Sequence, residues 1–174
     1  MESIEIPEGV KVEIKGDRVE VKGPLGTNTR RVNSKLLAVA ASEKGITVDS
    51  SIGNKKLQKK AAEAEKSFAK ELKNDMEGVR RYFEARMKVV FAHFPITIEV
   101  KTGEVRIVNM IGERSARVSK IVGNTKVEAA MPDLHIYGTS KDDVGQTAAN
   151  LRKTVKIRDK DCRIFQDGIY FNVE

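Results

Sequence analysis

The chain is poor in the residues that most directly mark chemistry. Its 174 residues include one cysteine, Cys162, two histidines, His93 and His135, and no tryptophan. A single cysteine excludes an intrachain disulfide and is typical of a protein in a reducing compartment. Neither histidine has a cysteine, histidine or carboxylate neighbour at a metal-ligand spacing. We therefore expect no metal site and interpret both histidines as structural or exposed.

Familiar catalytic and nucleotide-binding signatures are missing as well. The sequence contains no G-x-x-x-x-G-K-[ST], no G-x-G-x-x-G and no G-x-S-x-G segment. Carboxylates are plentiful, but no pair is isolated in the unlike environments that acid–base catalysis needs. We predict a protein that is not an enzyme, with no cofactor and no small-molecule substrate. A hydrolase using Cys162 is a remote alternative, because no histidine base lies near it in the sequence.

Long apolar runs are absent too. The longest, residues 36–41, is far shorter than the roughly 20 residues that a membrane-spanning helix needs. The first ten residues, MESIEIPEGV, have neither the basic nor the apolar region of a signal peptide. We expect a cytosolic protein without a membrane partner.

What the chain does have is an internal repeat. Residues 10–32 align without a gap with residues 96–118, at an offset of 86, and six of the 23 pairs are identical. An offset of about half the chain predicts two copies of one small domain. We place the copies at residues 1–92 and 93–174, with His93-Phe94-Pro95 as the junction.

Apolar spacing predicts the same elements in both copies. Alternating apolar residues indicate two hairpins per copy, and a 3.6-residue period indicates one helix after them. Because the helices do not alternate with strands, we predict an α+β fold of two tandem repeats, each an antiparallel sheet covered by one helix. The predicted strands are 10–14, 19–21, 37–41, 46–48, 83–91, 96–100, 105–107, 127–131, 134–136 and 163–173.

The first predicted helix is long and rich in lysine. Its apolar stripe begins at Leu57, and Asn54 or Ser51 can cap its start near Lys55. Its seven lysines are only partly matched by acidic residues at i,i+4, so a solvated face is the default interpretation and RNA contact the second. The second helix follows Ser140, where Ser140 to Asp143 fits the capping-box pattern. Gly23-Pro-Leu-Gly26 matches a KH-type G-x-x-G, but it follows a strand and indicates a turn with Gly26 at positive φ.

The charge favours a polyanionic partner. The net charge is +7 and the pI is about 9.5, which is typical of nucleic-acid-binding proteins. Positive charge is densest near the C-terminus, where exposed Arg and Lys suit phosphate contacts. The candidate RNA-binding residues there are Arg152, Lys153, Lys156, Arg158, Lys160 and Arg163. A second cluster in the same half comprises Arg106, Arg114, Arg117 and Lys120.

Several longer motifs resemble one family. Residues 163–170 read RIFQDGIY, residues 143–150 read DVGQTAAN and residues 92–95 read AHFP. Residues 6–10 (IPEGV) and 22–26 (KGPLG) belong to the same pattern, in the right order along nearly the whole chain. The chain resembles the L6 family of large-subunit ribosomal proteins, in its archaeal and eukaryotic branch.

The resemblance implies a structural, non-catalytic protein of the large ribosomal subunit in the cytoplasm. It implies binding to large-subunit rRNA near the sarcin–ricin loop and the docking site of translational GTPases, with neighbouring ribosomal proteins as partners. The second half is expected to make most of the RNA contact, and Lys141 and Gln146 near the start of its helix join the candidate residues. An extra-ribosomal RNA- or protein-binding module stays open as the alternative.

Overall fold

A computed structural model describes residues 2–34, 37–42, 45–49, 55–158, 160–161 and 163–171. Ser51, Asn54 and Cys162, which the sequence analysis considered, lie outside these residues. The chain divides into two compact units, Met1–Tyr82 and Phe83–Glu174. Each unit contains antiparallel strands and one long helix, which confirms the α+β fold with two tandem repeats.

The first unit has two three-stranded antiparallel sheets and one helix. One sheet has the order β1-β6-β5 and the other the order β2-β3-β4. Helix α1 contacts strands of both sheets. The elements are β1 Glu2–Glu5, β2 Lys11–Lys15, β3 Arg18–Gly23, β4 Gly26–Arg31, β5 Ala38–Ser42, β6 Gly45–Asp49 and α1 Lys55–Gly78.

The second unit repeats this plan with one more strand. Its sheets have the orders β10-β9-β8 and β11-β12-β7-β13, and helix α2 packs against both. A short 3-10 turn, Met110–Gly112, precedes β10. The elements are β7 Phe83–Val90, β8 Thr97–Lys101, β9 Glu104–Val108, β10 Arg117–Lys120, β11 Lys126–Ala130, β12 Asp133–Gly138, α2 Lys141–Thr154 and β13 Gly168–Phe171.

Each helix buries most of the apolar stripe that its sequence predicts. The stripe of α2, Val144, Ala148, Leu151 and the C-cap residue Val155, is buried in the core of the second unit. The buried part of the α1 stripe is Ala61, Phe68, Leu72, Met76 and, just after the helix, Val79. Ala64 is half-buried, and the Leu57 side chain lies outside the described part. The predicted end of α1 near Arg80 is two residues later than the observed end at Gly78. Burial of these apolar side chains against the two sheets of each unit stabilises the packing of helix on sheet.

Strand β7 belongs to the second unit, so the boundary between the units lies earlier in the chain than the predicted one. The sequence analysis ended the first copy at residue 92, whereas the compact units divide after Tyr82. Strand β7 pairs with β12 and β13, and its Met87 and Val89 are buried in the second core. Its counterpart in the first unit is β1, which pairs with β6 as β7 pairs with β12. Each structural repeat therefore begins with this strand, ahead of the segments that align in sequence.

The C-terminal strand is shorter than predicted. Of the predicted strand 163–173, the structure shows β13 at Gly168–Phe171, with residues 163–164 in a turn, and residues 172–173 lie outside the described part of the chain. The turn forms because the backbone amides of Ile164 and Phe165 both donate to the Asp161 carbonyl. Strand β13 occupies the edge beside β7, a position that no strand of the described residues fills in the sheet β1-β6-β5.

The Gly23-Pro-Leu-Gly26 segment is a strand-to-strand turn, as its sequence predicts. Gly26 has a φ of 152°, and its counterpart Gly112 has a φ of 75°. At Gly23 a Cβ atom would lie 2.6 Å from Cγ2 of Val79, so only glycine allows the strand to approach the end of α1 so closely. The Leu25 amide donates to the Val79 carbonyl at 3.0 Å. The β3–β4 turn is therefore held against the end of α1 by a close packing contact and a backbone hydrogen bond.

Candidate nucleic-acid interface

The predicted RNA-binding residues lie in three parts of the second unit. Arg106 is in β9, Arg114 follows the 3-10 turn, and Arg117 and Lys120 are in β10. Lys141 and Gln146 lie in the first half of α2, and the remaining six follow from its last turn onward. Strand β10 packs against α2, and Asn150 Nδ2 donates to the Lys120 carbonyl at 3.2 Å. The fold therefore brings two sequence-distant clusters onto neighbouring elements.

Arg117 is engaged within the protein. Its Nη1 donates to the carbonyls of Thr154 at 2.9 Å and Lys156 at 3.2 Å, just beyond the end of α2. Its Nε and Nη2 both donate to the Glu113 carboxylate. These hydrogen bonds raise the pKa of Arg117 and lower the pKa of Glu113. A guanidinium with four of its five donors in use holds β10 to the end of α2 and has little left for a phosphate.

Arg106 and Arg114 differ in exposure. Arg106 is half-buried, and its Nε lies 3.5 Å from Glu104 Oε1, too far for a good hydrogen bond. Arg114 is exposed, between the 3-10 turn and β10. Lys120 is exposed on β10 as well. Arg114 and Lys120 are therefore the accessible cations of the β9–β10 cluster.

The start of α2 is a conventional capped helix. The Ser140 side chain accepts a hydrogen bond from the Asp143 amide at 3.3 Å, which confirms the predicted cap. Lys141 is exposed, with its Nζ 5.6 Å from the centre of the Phe83 ring. Gln146 Nε2 donates to Asn150 Oδ1 at 2.9 Å. Both candidate side chains are therefore accessible. Lys141 has a weak contact with an aromatic ring, and Gln146 has one side-chain hydrogen bond.

The strongest concentration of accessible positive charge begins in the last turn of α2 and continues after it. We call six residues there the C-terminal basic cluster, and all six side chains are exposed. Within the described residues, none of them forms an ion pair with an acidic group, although Lys160 Nζ lies 4.9 Å from the centre of the Phe165 ring. Cations in the last helical turn also favour the helix dipole. The cluster comprises Arg152, Lys153, Lys156, Arg158, Lys160 and Arg163.

A groove borders this cluster, and sequence patterns did not predict it. Its cavity is about 520 Å³ and lies between the last turn of α2 and β13. Three cations of the cluster and three aromatic rings line it, and Tyr170 and Phe171 are both more than 40% exposed. Aromatic rings beside cations are a recurrent feature of surfaces that bind unpaired bases. The lining residues in this group are Arg152, Lys153, Lys156, Phe165, Tyr170 and Phe171.

A buried carboxylate fixes the loop that ends the cluster. Asp167 is 3% exposed and accepts hydrogen bonds from the backbone amides of Ala92 at 2.8 Å and His93 at 3.1 Å. His93 Nδ1 lies 2.8 Å from Asp167 Oδ2, and the His93 ring stacks on Phe165 at 4.6 Å. Burial raises the pKa of Asp167, but the hydrogen bonds from His93 and the two amides outweigh it and hold the pKa below its usual value.

This contact joins two of the motifs on which the family resemblance was based. Residues 92–95 and 163–170 are about 70 residues apart in the chain, yet His93 and Asp167 meet at the base of the loop. His93 thus has the structural role expected of it. The loop that carries Lys160 and Arg163 is anchored to the segment after β7.

Over the described ranges, no group of three or more His, Cys, Asp or Glu side chains is placed to hold a metal ion. His135 contacts Glu84 on the open face of the sheet, with its Nε2 3.3 Å from Glu84 Oε2. Neither helix carries an apolar stretch long enough to cross a bilayer, as far as the chain is described.

Comparisons with known proteins match the whole chain. A family model described as ribosomal protein L6 matches residues 6–81 and 94–168. The large ribosomal subunit protein uL6 of Methanobrevibacter smithii is 41% identical over 169 residues, which cover 97% of this chain and 93% of the relative. The uL6 protein of Methanosarcina mazei is also 41% identical, with the same coverage. That of Archaeoglobus fulgidus is 38% identical over 172 residues, 96% of this chain and 86% of the relative.

Proposed function

Because the chain belongs to the ribosomal protein L6 family, we propose that it is a structural constituent of the large ribosomal subunit that binds large-subunit rRNA. Its role is non-catalytic, and its place is the ribosome in the cytoplasm. The two folded units present fixed cationic surfaces to RNA, and binding releases the counterions condensed on the phosphates.

The C-terminal basic cluster is the observation that carries this proposal. Its six cations are exposed and, in the described part of the chain, have no acidic partner. They therefore keep their charge available for phosphates, unlike Arg117, whose guanidinium serves the fold. The hydrogen bonds of Asp167 anchor the end of the loop before RNA binds, which lowers the conformational entropy lost on binding. The second unit thus makes the main rRNA contact.

The contact lies near the docking site of translational GTPases, close to the sarcin–ricin loop, with neighbouring ribosomal proteins around it. Family membership supports this location, and the basic cluster supports the RNA contact. Arg114, Lys120, Lys141 and Gln146 extend the surface on the same unit. Arg117 contributes through the fold that presents the surface, and half-buried Arg106 stays a candidate contact.

The test is a variant in which four cluster cations become glutamine: R152Q/K153Q/R158Q/K160Q. Binding to protein-free large-subunit rRNA should weaken by tenfold or more near 150 mM salt. The plot of log K against log salt should become shallower by about 3, since each neutralised phosphate contributes about 0.7–0.9 to the slope. Circular dichroism should show an unchanged fold, because these side chains are exposed.

A matched control removes the same charge from exposed strand positions of the same unit: R86Q/K88Q/K101Q/K126Q. If the control weakens binding as much as the cluster variant, net charge and not the cluster is responsible. An extra-ribosomal module is tested on a sucrose gradient of a cell extract. A ribosomal constituent sediments with large subunits, whereas an extra-ribosomal module stays near the top.

A further inference from the structure

We infer that the outer face of α1 is a second RNA-binding surface, which takes the sugar–phosphate backbone without reading its sequence. The surface consists of Lys59, Lys66, Lys70 and Lys73, here called the lysine stripe. All four side chains are exposed. Their spacings of 7, 4 and 3 residues place them on one face of the helix. The stripe belongs to the first unit and is separate from the C-terminal basic cluster.

The stripe is cationic because most acidic side chains of α1 lie on the side of the helix that packs against the unit. Helix α1 contains five acidic residues, and three of them are held by the body of the unit. Glu65 is 5% exposed and Asp75 is 3% exposed. Glu71 accepts hydrogen bonds from Arg30 at 2.9 Å and from Ser67 at 3.3 Å. The exposed face keeps only Glu63 and Glu77 beside its lysines, so it is more basic than the helix sequence suggests.

Arg30 binds two of these carboxylates, those of Glu71 and Asp75. Its Nε and Nη2 donate to the two carboxylate oxygens of Asp75, at 2.5 and 3.0 Å, while Nη1 donates to Glu71. Arg30 comes from β4, on the body side of the helix. The single positive charge of Arg30 does not cancel both carboxylates, but these contacts hold Asp75 and Glu71 toward β4. The acidic residues left beside the lysines are Glu63 and Glu77. Within the described residues the structure gives none of the four an ion pair.

The lysines also repel one another. Lys66 and Lys70 are at i,i+4 and Lys70 and Lys73 at i,i+3, where like charges lower the stability of an isolated helix. A solvated face can tolerate that repulsion, but it is relieved when a polyanion lies along the stripe. From Lys59 to Lys73 the helix rises about 21 Å, which is long enough for several successive phosphates.

The composition of the stripe favours an RNA backbone over a protein partner. Lysine is depleted at protein–protein interfaces, where arginine and aromatic residues dominate. All four cations of the stripe are lysine, and no aromatic side chain lies among them. A lysine ammonium is a point charge on a flexible stem, which suits phosphates at variable positions and not the bidentate recognition of a base or carboxylate. The ligand is therefore a nucleic-acid backbone, read through its charge.

The experiment compares three full-length proteins: the wild type, a stripe variant K59Q/K66Q/K70Q/K73Q, and a control K11Q/K15Q/R18Q/R31Q. The control removes the same net charge from exposed positions of β2–β4 in the same unit. Each is titrated with protein-free large-subunit rRNA over a salt series. The stripe variant should have a slope of log K against log salt that is shallower by about 2 to 3, and the control by less than 1. The four-arginine version of the stripe should bind as the wild type does.

Three results would overturn the inference. The first is a stripe variant with wild-type affinity and slope. The second is an equal loss in the stripe variant and the control, which would mean that only net charge matters. The third is unchanged rRNA binding together with loss of the variant from assembled large subunits, which would assign the stripe to a protein partner. A variant of the C-terminal basic cluster in the same titration tests the proposed function separately, since the two surfaces share no residue.

Discussion

The two units carry almost the same charge surplus, yet they expose it on different elements. Residues 1–82 contain 17 Lys and Arg against 13 Asp and Glu, and residues 83–174 contain 15 against 12. In the first unit the helix exposes a row of lysines, the lysine stripe. In the second the densest exposed cations run from the last turn of α2 into the loop anchored by Asp167. The two units thus share a scaffold and a similar net charge but differ in where their cations are concentrated, which is the basis of the two proposed surfaces.

The units also hold their helices differently. In the first unit Arg30 reaches from β4 to carboxylate side chains of α1. In the second, Arg117 reaches from β10 to backbone carbonyls at the end of α2. The first contact holds two acidic side chains of α1 on the side of the helix that faces β4, whereas the second engages no charged side chain of α2. The predictions that follow test this contrast, from the largest expected effect to the smallest.

Arg30→Ala should destabilise the full chain most, by about 3 kcal/mol, because it leaves the carboxylate of Asp75 buried without its partner. Urea denaturation followed by circular dichroism measures the change. The neighbouring Arg31→Ala is the matched control, because Arg31 is exposed and should change stability by less than about 0.5 kcal/mol. Equal effects of the two substitutions would contradict the role given to Arg30.

Asp167→Asn should cost about 2 kcal/mol at neutral pH, because hydrogen bonds to a charged acceptor at a buried site are weakened. The folded-state pKa of Asp167 lies below its usual value of 3.8. Its contribution to stability is therefore complete above that value and is lost as the pH falls through the lower, folded-state pKa. The difference in free energy of unfolding between Asp167→Asn and the wild type should therefore become smaller in acid. A difference that is the same at pH 7 and pH 2.5 would contradict the role given to Asp167. Asp133→Asn, at an exposed position, is the control.

Arg117→Ala should cost about 1 to 2 kcal/mol in stability, from the hydrogen bonds to the Thr154 and Lys156 carbonyls. The pair with Glu113 adds less, because it is partly exposed to solvent. Arg114→Ala is the informative comparison: it should leave the denaturation midpoint unchanged and weaken rRNA binding. The reverse pattern would exchange the structural and RNA-binding roles assigned to these two arginines.

Ser140→Ala should have the smallest effect, about 1 kcal/mol, through loss of the cap on α2. The measurement is again urea denaturation, and Ser140→Asp, which can also cap, should restore most of the stability. Affinity for rRNA should fall far less than in the variant of the C-terminal basic cluster, because the cap lies at the opposite end of α2 and the substitution removes no cation. A loss of affinity in Ser140→Ala as large as that of the cluster variant would contradict this assignment.

Local patterns in the sequence predicted much of the fold. The capped start of α2, its buried stripe, the paired hairpins and the turn at Gly26 all depend on residues within a few positions of one another. The sheet that β7 joins was not predictable in this way, since an alternating strand pairs equally well with either repeat. The choice depends on the burial of Met87 and Val89 against the second core.

The contacts that define the candidate surfaces are even less local. Arg30 meets Asp75 across 45 residues, and His93 meets Asp167 across 74. No periodicity connects such pairs, so the basic face of α1 and the anchored loop emerge only from the fold. The C-terminal basic cluster itself was visible as a dense run of Arg and Lys. The engagement of Arg117 was not, because its partners are backbone carbonyls that any sequence would supply.

The central claim is that the second unit makes the main rRNA contact and the first a lesser one. One salt-series titration of protein-free large-subunit rRNA with the cluster variant, the stripe variant and the wild type tests it most directly. The account predicts that both variants bind more weakly, that both slopes become shallower, and that the cluster variant loses the most affinity. A cluster variant that binds rRNA as tightly as the wild type, or better than the stripe variant, would contradict it.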